Sequence, residues 1–422
     1  MAIFERPSKN SLNPYSFKLY ASASELPEPW DQLAATNVFL SSNYFRVLQE
    51  SAPTNMTCHF IGLFDGEELI GIALSQFLDL NQLESFGERD QCMKTYVRNF
   101  VFRNFASHVL FIGNNMLTGQ NAFLLLRDCD ITQALRTIHK ATEALEDLFR
   151  SKGKPLHIIT YKDFESGEIA LFDTPEFKPF YRFSTQPNMT FHMRKDWNSV
   201  ADYVASLHKK YRDQYKRANK KAQGIQKRPL ALEDILSNEQ RIYELYFHVA
   251  KNAPFNTFFL EKNHFSAFKR LFGNQFLFYG YFLDGKMIGF NTMIKNGNSL
   301  DTYFLGYDET LQREKMLYLN MLYDMIAYGI ENHYEVIIFS RTALEIKSSV
   351  GALPVKTYGL IRHRNGLINR FMSRIFPLME PEVIWQERSP FQTAHANVAV
   401  MPSPDSNENP FVAGFDAKGC NE

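Results

Sequence analysis

The chain repeats itself, so any fold built from it has to accommodate two copies of one unit. Phe60, Gly62, Phe64, Asp65 and Gly66, followed by Ile70 and Gly71, answer Phe278, Gly280, Phe282, Asp284 and Gly285, followed by Ile288 and Gly289. Each set reads as two strands joined by an Asp-Gly hairpin. The match continues in order. Val109 to Asn114 corresponds to Tyr303 to Asp308, and a helical pattern follows each, at Ile131 to Arg150 and at Gln312 to Asn332. His157 to Tyr161 then answers Val336 to Ser340, both short apolar runs suited to a buried strand. A further strand is expected to close each half, near Pro179 to Thr185 and near Val355 to His363. Asp-Gly turns alone are common, but four elements in one order make a duplicated αβ unit, with halves at 14–186 and 187–390. The stretch 400–422, rich in Pro, Asn, Gly and Ser, reads as a loose tail. The first copy carries an insertion, Asn81 to Ser107, whose KTYVRNFVFRNF suits a lid, a partner surface or plain packing.

The chain has 46 basic and 46 acidic residues, and this balance argues against a dedicated DNA binder, whose domain would be basic overall. Cys58, Cys92, Cys129 and Cys420 stand apart, with no C-x-x-C pair and no zinc-type histidine spacing, which predicts a reducing compartment and no metal. The first residues lack the apolar core of a secretory signal, and no apolar run approaches the roughly 20 residues of a membrane helix. A cytoplasmic chain with at most peripheral membrane contact is expected. No G-x-G-x-x-G, phosphate loop, H-E-x-x-H or G-x-S-x-G is present, so dinucleotide, nucleoside-triphosphate, zinc-protease and hydrolase readings lack support.

Against that neutral background one stretch is strongly cationic. Between Ser206 and Arg228 lie Lys209, Lys210, Arg212, Lys216, Arg217, Lys220, Lys221, Lys227 and Arg228, against the single acid Asp213. Leu207, Tyr211, Tyr215, Ala218 and Ala222 recur at helical spacing, so the spacing predicts one packed helix with cations around the rest of its circumference. Ser199 and Asp202 have capping-box spacing for its start, and Gly224 suits its stop. The run is either a solvated face or a site for phosphate.

The order within each half is strand, helices, a three-stranded meander, helix, strand, short helix, strand. This α+β, mixed αβ order resembles the acyltransferase fold of the GNAT superfamily. Two such units, with a basic helix opening the second, look like its tandem-domain relatives, which include the Fem-type aminoacyl transferases and the peptidoglycan biosynthesis proteins. The resemblance implies two GNAT-like units, each a twisted mixed sheet flanked by helices, the first structural and the second carrying the active site. In GNAT enzymes the loop after the fourth strand reads R/Q-x-x-G-x-G/A and receives the coenzyme A pyrophosphate on backbone amides. That place is held here by Gln312, Arg313, Glu314, Lys315, Met316 and Leu317. Both glycines are missing, so Arg313 or Lys315 would hold phosphate by side chain. The corresponding stretch of the first half is GNNMLTGQNAF, from Gly113.

The resemblance further implies that the strand containing Asp301, Tyr303 and Leu305 flanks the acyl thioester. It makes Asp301 the acceptor of the amine proton and Tyr303 the proton donor to the thiolate, with Tyr307 in reserve. Strict alternation puts Asp301, Tyr303 and Leu305 on one face. Ser340, Arg341, Thr342, Glu345 and Lys347 cluster at the end of the next strand, as a binding site or as an internal ion pair with Glu345. The resemblance also implies that Lys209, Lys210 and Arg212 border the acceptor or donor cleft. The implied activity is acyl transfer from acyl-coenzyme A, a co-substrate rather than a bound cofactor, to an amine on a small or phosphate-bearing acceptor. The alternatives are an aminoacyl-tRNA donor, against which no long helical arm is evident in the second half, and a non-catalytic binding protein.

Overall fold

The structure is a computed structural model that describes residues 14–82, 106–184, 186–252, 256–379, 385–392 and 412–413. Most of the Asn81 to Ser107 insertion and all but two residues of the 400–422 stretch therefore lie outside the described residues. The strands of the first half are β1 (Ser16–Tyr20), β2 (Met56–Asp65), β3 (Glu68–Asp79), β4 (His108–Ile112), β5 (Phe123–Leu126), β6 (Ile158–Phe164) and β7 (Tyr181–Ser184). Those of the second are β8 (Asn188–His192), β9 (Gln226–Pro229), β10 (Phe276–Leu283), β11 (Lys286–Asn296), β12 (Ser299–Tyr307), β13 (Val336–Ser340), β14 (Leu353–Val355) and β15 (Tyr358–His363). They form two mixed sheets, ordered β1-β2-β3-β4-β6-β15-β7 and β14-β8-β13-β12-β11-β10-β9; a two-residue strand, β16 (Val412–Ala413), joins β5.

Both Asp-Gly hairpins form. At the β10–β11 turn Asp284 (φ +50°) and Gly285 (φ +77°) are both left-handed, the backbone that a two-residue turn needs to match strand twist. The β2–β3 turn uses Gly66 at φ +61°. In each half a parallel pair is joined through a helix: β4 and β6 through α2 (Ile131–Ser151), and β12 and β13 through α8 (Leu317–Glu331). The other helices that matter are α1 (Ser42–Ser51), α3 (Val200–Ser206), α4 (Lys209–Lys221), α5 (Glu239–Lys251), α6 (His264–Phe272), α7 (Glu309–Lys315) and α9 (Leu344–Ser349).

Three sequence expectations are corrected. The strand near Val355 to His363 does not close the second half: β15 inserts into the first sheet, between β6 and β7, with Ile361 opposite Thr160 on one side and Tyr181 on the other. All seven residues of β6 are buried, and β4 covers only one of its edges, so its other backbone edge has to find a partner inside the protein. The second sheet is closed instead by the short β14 on β8. The chain thus crosses from the first sheet to the second between β7 and β8 and returns between β14 and β15.

The stretch from Gly113 is not the approach to a helix. The chain leaves the first sheet at Gly113, loops out, and returns as β5 on the far end of β3, with Leu125 opposite Gly71. Its own side chains hold the excursion: Asn114 accepts from the Met116 amide at 3.0 Å, and Gln120 accepts from the Ala122 amide at 3.1 Å. Third, the single helix expected from Ser199 to Gly224 is two, α3 and α4, and Lys227 and Arg228 lie beyond them on β9. His208 donates its amide to Pro390 O at 2.7 Å, and Gln392 donates to Ser206 O at 3.1 Å, so the crossing segment takes up backbone groups that a continuous helix would use. The Ser199–Asp202 capping box and the buried Leu207, Tyr211 and Ala218 stripe are as expected.

Each sheet has one private face. The first packs on α2, the second on α3, α4 and α8. The opposite faces bury a single cluster drawn from both halves, in which Phe45 stacks on Phe60 of the first and Phe268 on Phe276 of the second, with Tyr44 against Phe268 at 6.0 Å. Among the described residues no helix is long and apolar enough to cross a membrane, and no group of three or more His, Cys, Asp or Glu side chains is arranged to hold a metal ion.

Candidate functional site

The strand order places β12 and β13 side by side, paired in parallel only from Ser299 to Asp301 against Val336 to Ile338. Beyond that point β12 continues on β11 to Tyr307 while β13 continues on β8, so the two strands part. Thr302 Oγ1 donates to Ile338 O at 3.0 Å across the start of the opening. Beyond the parting, β12 ends at Tyr307 and leads directly into α7 and α8.

Simple alternation fails on β12. Asn291 pairs with Leu305 and Met293 with Thr302, so Thr292 alone opposes both Tyr303 and Phe304. This β-bulge turns the strand over. Tyr303 and Phe304 both pack into the cluster shared by the halves, whereas Leu305 and Tyr307 face α8, with the Tyr307 and Tyr318 rings 6.3 Å apart. Leu305 therefore does not share a face with Asp301 and Tyr303. On the shared-cluster side α5 crosses so close to Gly306 that a Cβ there would lie 2.5 Å from the Leu245 carbonyl carbon.

Asp301 is buried, and its Oδ2 accepts from Asn296 Nδ2 at 3.2 Å. Burial pushes its carboxyl up to about 7, with the Asn296 hydrogen bond opposing in part. Asn296 also accepts from the Val38 amide of the first half at 3.1 Å, so the carboxyl is tied to the contact between halves. Tyr303 hydrogen-bonds His264 Nε2 at 2.9 Å, and His264 Nδ1 lies 3.0 Å from both the Ser51 hydroxyl and the Ser51 carbonyl of α1. Burial holds the Tyr303 phenol well above its ordinary value and pushes His264 down to about 4. A lone Asn such as Asn296 carries no local signal, and His264, one of eleven scattered histidines, reads from sequence either as a residue near the cleft or as a satisfied packing residue.

The glycine-free stretch after β12 is not a loop. Gln312, Arg313 and Lys315 lie on α7, where the Asp308 side chain accepts from the Thr310 amide at 3.1 Å as N-cap. Glu309 in its first turn and Arg313 and Lys315 in its last suit the helix dipole. Between the two missing glycine positions the Met316 amide is used within the helix, donating to Gln312 O. Arg313 is exposed, and Lys315 lies 3.4 Å from Glu314. The left-handed Met316 then starts α8, and Asn320 Nδ2 ties this junction to α4 by donating to Ala218 O at 3.1 Å.

Helix α4 lies against α7 and α8. The Lys210 ammonium sits 5.5 Å from the Tyr211 ring centroid, and half-buried Arg212 donates to Leu207 O. Lys227 and Arg228, on β9, pair with Asp324 and Asp234. Lys209, Lys216, Arg217, Lys220 and Lys221 are exposed and in no ion pair among the described residues.

No protein-family model matches this chain, and no curated protein does. Solved structures similar to it include FemX, at 11% identity over 78% of this chain and 93% of that one, with a TM-score of 0.43. A tandem GNAT protein from the clavulanic acid biosynthesis pathway aligns at 10% identity over 82% and 98%, with a TM-score of 0.47. L-PGS from Bacillus licheniformis aligns at 11% over 80% and 96%, with a TM-score of 0.43. The likeness is one of fold.

The polar cluster at the end of β13 is three separate arrangements. Glu345 pairs with Arg388, not with Arg341 or Lys347. Lys347 is buried and donates to the carbonyls of Phe339 (2.6 Å), Ser340 (3.2 Å) and Arg341 (2.8 Å), while burial lowers its amine to about 7. It thereby holds a turn in which Ser340, Thr342 and Ala343 all have positive φ, a backbone costing on the order of 1–3 kcal/mol per residue outside glycine. Arg341 reaches across to the first half, to Asp163 and to Gln186 O at 3.1 Å. Asp163 is also 2.6 Å from Lys162 Nζ, which donates to Asn114 O (2.7 Å) and Leu117 O (3.0 Å). Lys162 and Asp163 were missed, although the repeat could have found them. Continuing the match of His157–Tyr161 with Val336–Ser340 aligns Lys162 with Arg341 and Asp163 with Thr342, and these last two share left-handed φ values of +69° and +72°.

Proposed function

We propose that the chain is a transferase that moves an acyl group from a coenzyme A thioester to an amine. The observation that carries this reading is the parting of parallel β12 and β13 beyond Asp301 and Ile338, in front of the α7–α8 junction against which cationic α4 is packed. A thioester in that gap has edge amides of β12 for its carbonyl oxygen and cations of α4, with Arg313, for its phosphates. The amine nitrogen attacks the carbonyl carbon, the C–N bond forms, and the C–S bond breaks. Asp301 takes the amine proton, its pKa of about 7 suiting a base that works near neutrality. Tyr307, on the α8 side of β12, returns a proton to the thiolate. Tyr303 is a positioning residue in this scheme, since its hydroxyl is engaged by His264. The first half supplies support through Val38 and Asp163 rather than a second donor site.

One observation favours a second donor class. Thirteen residues of α4 span roughly 20 Å at about 1.5 Å per residue, a longer cationic face than one diphosphate occupies, and an aminoacyl-tRNA would use more of it. Thiol release from acetyl-, succinyl- or palmitoyl-coenzyme A in the presence of a panel of primary amines tests the first reading. Amine-dependent release lowered at least tenfold in Asp301→Asn is expected. No donor reacting faster than in buffer, with transfer seen from aminoacyl-tRNA, would give the function to the second reading.

A further inference from the structure

Away from the parted strands, a pocket of about 270 Å³ opens at the end of the second sheet, between β9, β10, β11 and α6. Its walls include Leu230, Leu277 and Tyr279, and its polar lining is Asn274, Lys269 and Lys295, with no carboxylate among the lining residues. Lys269 is held in place: its ammonium donates to Phe276 O at 2.9 Å and to Gly273 O at 3.1 Å, leaving one N–H uncommitted. Lys295 extends from β11, and no ion pair engages either lysine among the described residues. The two cations repel each other, and the Lys295 charge adds to the burial that lowers the Lys269 amine. A third, Lys227, lies 4.7 Å from the centroid of the Tyr279 ring but is answered by Asp324 at 3.2 Å.

Two like charges lining one concavity with no carboxylate among its walls are unfavourable in the empty protein, and a concave site of one sign attracts and concentrates the opposite one. From this geometry we infer that the pocket binds a small organic oxyanion, a carboxylate or phosphate monoester on a short flat apolar body. The head bridges Lys269 and Lys295 by charge-assisted hydrogen bonds, with the Asn274 side chain beside it. The body lies on Tyr279, Leu277 and Leu230, the mix of apolar wall and few polar groups that small-molecule sites share. The pocket is separate from the gap beside β12, so this inference does not depend on the transfer reading.

Calorimetric titration of the full chain with benzoate, phenyl phosphate, inorganic phosphate and neutral benzyl alcohol tests it. At least one of the anions carrying a ring is expected to bind saturably, more weakly as salt is raised. Lys295→Ala should weaken that binding about tenfold or more, as loss of a hydrogen bond to a charged group does, while Lys295→Arg keeps most of it. Benzoate alone binding assigns a carboxylate ligand, and phenyl phosphate alone a phosphate monoester. No saturable binding by any anion, equal binding of benzyl alcohol, or affinity unchanged in Lys295→Ala would each overturn the inference. Circular dichroism of the Lys295 variants separates a lost site from a lost fold.

Discussion

Arg341 and Asp163 join the two halves, and a double-mutant cycle on this pair asks whether the contact holds them together. The Asp163 side chain is 2% exposed and that of Arg341 23%, so the bond is largely withdrawn from solvent. Removing one partner of a fully buried ion pair costs about 3–5 kcal/mol, because the other charge is left stranded. Arg341→Ala should cost less, about 2 kcal/mol, since Asp163 keeps Lys162 Nζ at 2.6 Å. Asp163→Asn should cost more, about 3–4 kcal/mol, because it takes the counter-charge from both Arg341 and Lys162, whose amine burial and repulsion from Arg341 already lower. With Arg341 already gone that repulsion disappears, so a coupling of about 2 kcal/mol is expected in the cycle. Urea unfolding followed by far-UV circular dichroism and by fluorescence measures it, with Trp30 in the first half and Trp197 in the second as reporters. Both probes should give one coincident transition in the wild type. A coupling below about 0.5 kcal/mol, the range of independent sites, would refute the argument.

The other expectations are more local. Because β15 supplies the inner partner of both β6 and β7, a fragment of residues 14–187 should not fold cooperatively on its own, whereas adding residues 358–363 through a linker should restore native-like near-ultraviolet dichroism. Asp301 carries a pKa raised from an unfolded value near 3.8 to about 7. The folded state therefore binds the extra proton between those values, so stability falls as pH rises from about 4 to about 7 and then levels. Asp301→Asn should remove that slope and, at pH 8, stabilise the fold by up to about 4 kcal/mol, with no gain at pH 4, as urea midpoints at the two pH values will show. Gly306→Ala should destabilise by about 3 kcal/mol or more, because the new methyl group meets the α5 backbone at Leu245 and Tyr246 rather than a side chain that can turn away.

The repeat made the fold class, both hairpins and the order of strands and helices legible in sequence, because each rests on local chemistry: Asp-Gly turns, apolar runs and helical spacing. What it hid was partner choice. Tyr358 to His363 reads as a strand, but nothing in those residues says that the edge of β6 will take it. The α3–α4 break was equally hidden, since the segment that takes up the backbone groups at Ser206 and His208 lies some 180 residues further along. On β12, alternation assigned the faces correctly up to Tyr303 and failed one residue later, because a bulge is a property of two strands and leaves no mark on one. The missing glycines were legible, although the helix that replaces the loop was not. The basic stretch kept both of its readings: Lys227 and Arg228 are paired, Lys210 sits by a tyrosine ring, and five cations of α4 remain uncommitted.

Those five cations allow the central claim to be tested directly. Native mass spectrometry of the full chain with coenzyme A, acetyl-coenzyme A and palmitoyl-coenzyme A should show one thioester retained at unit stoichiometry. Arg217→Glu combined with Lys220→Glu, on an exposed face where substitution leaves the fold intact, should abolish that retention. A wild type that retains no thioester, or one that retains it equally after the two charge reversals, would contradict a donor site formed by the parted strands and α4.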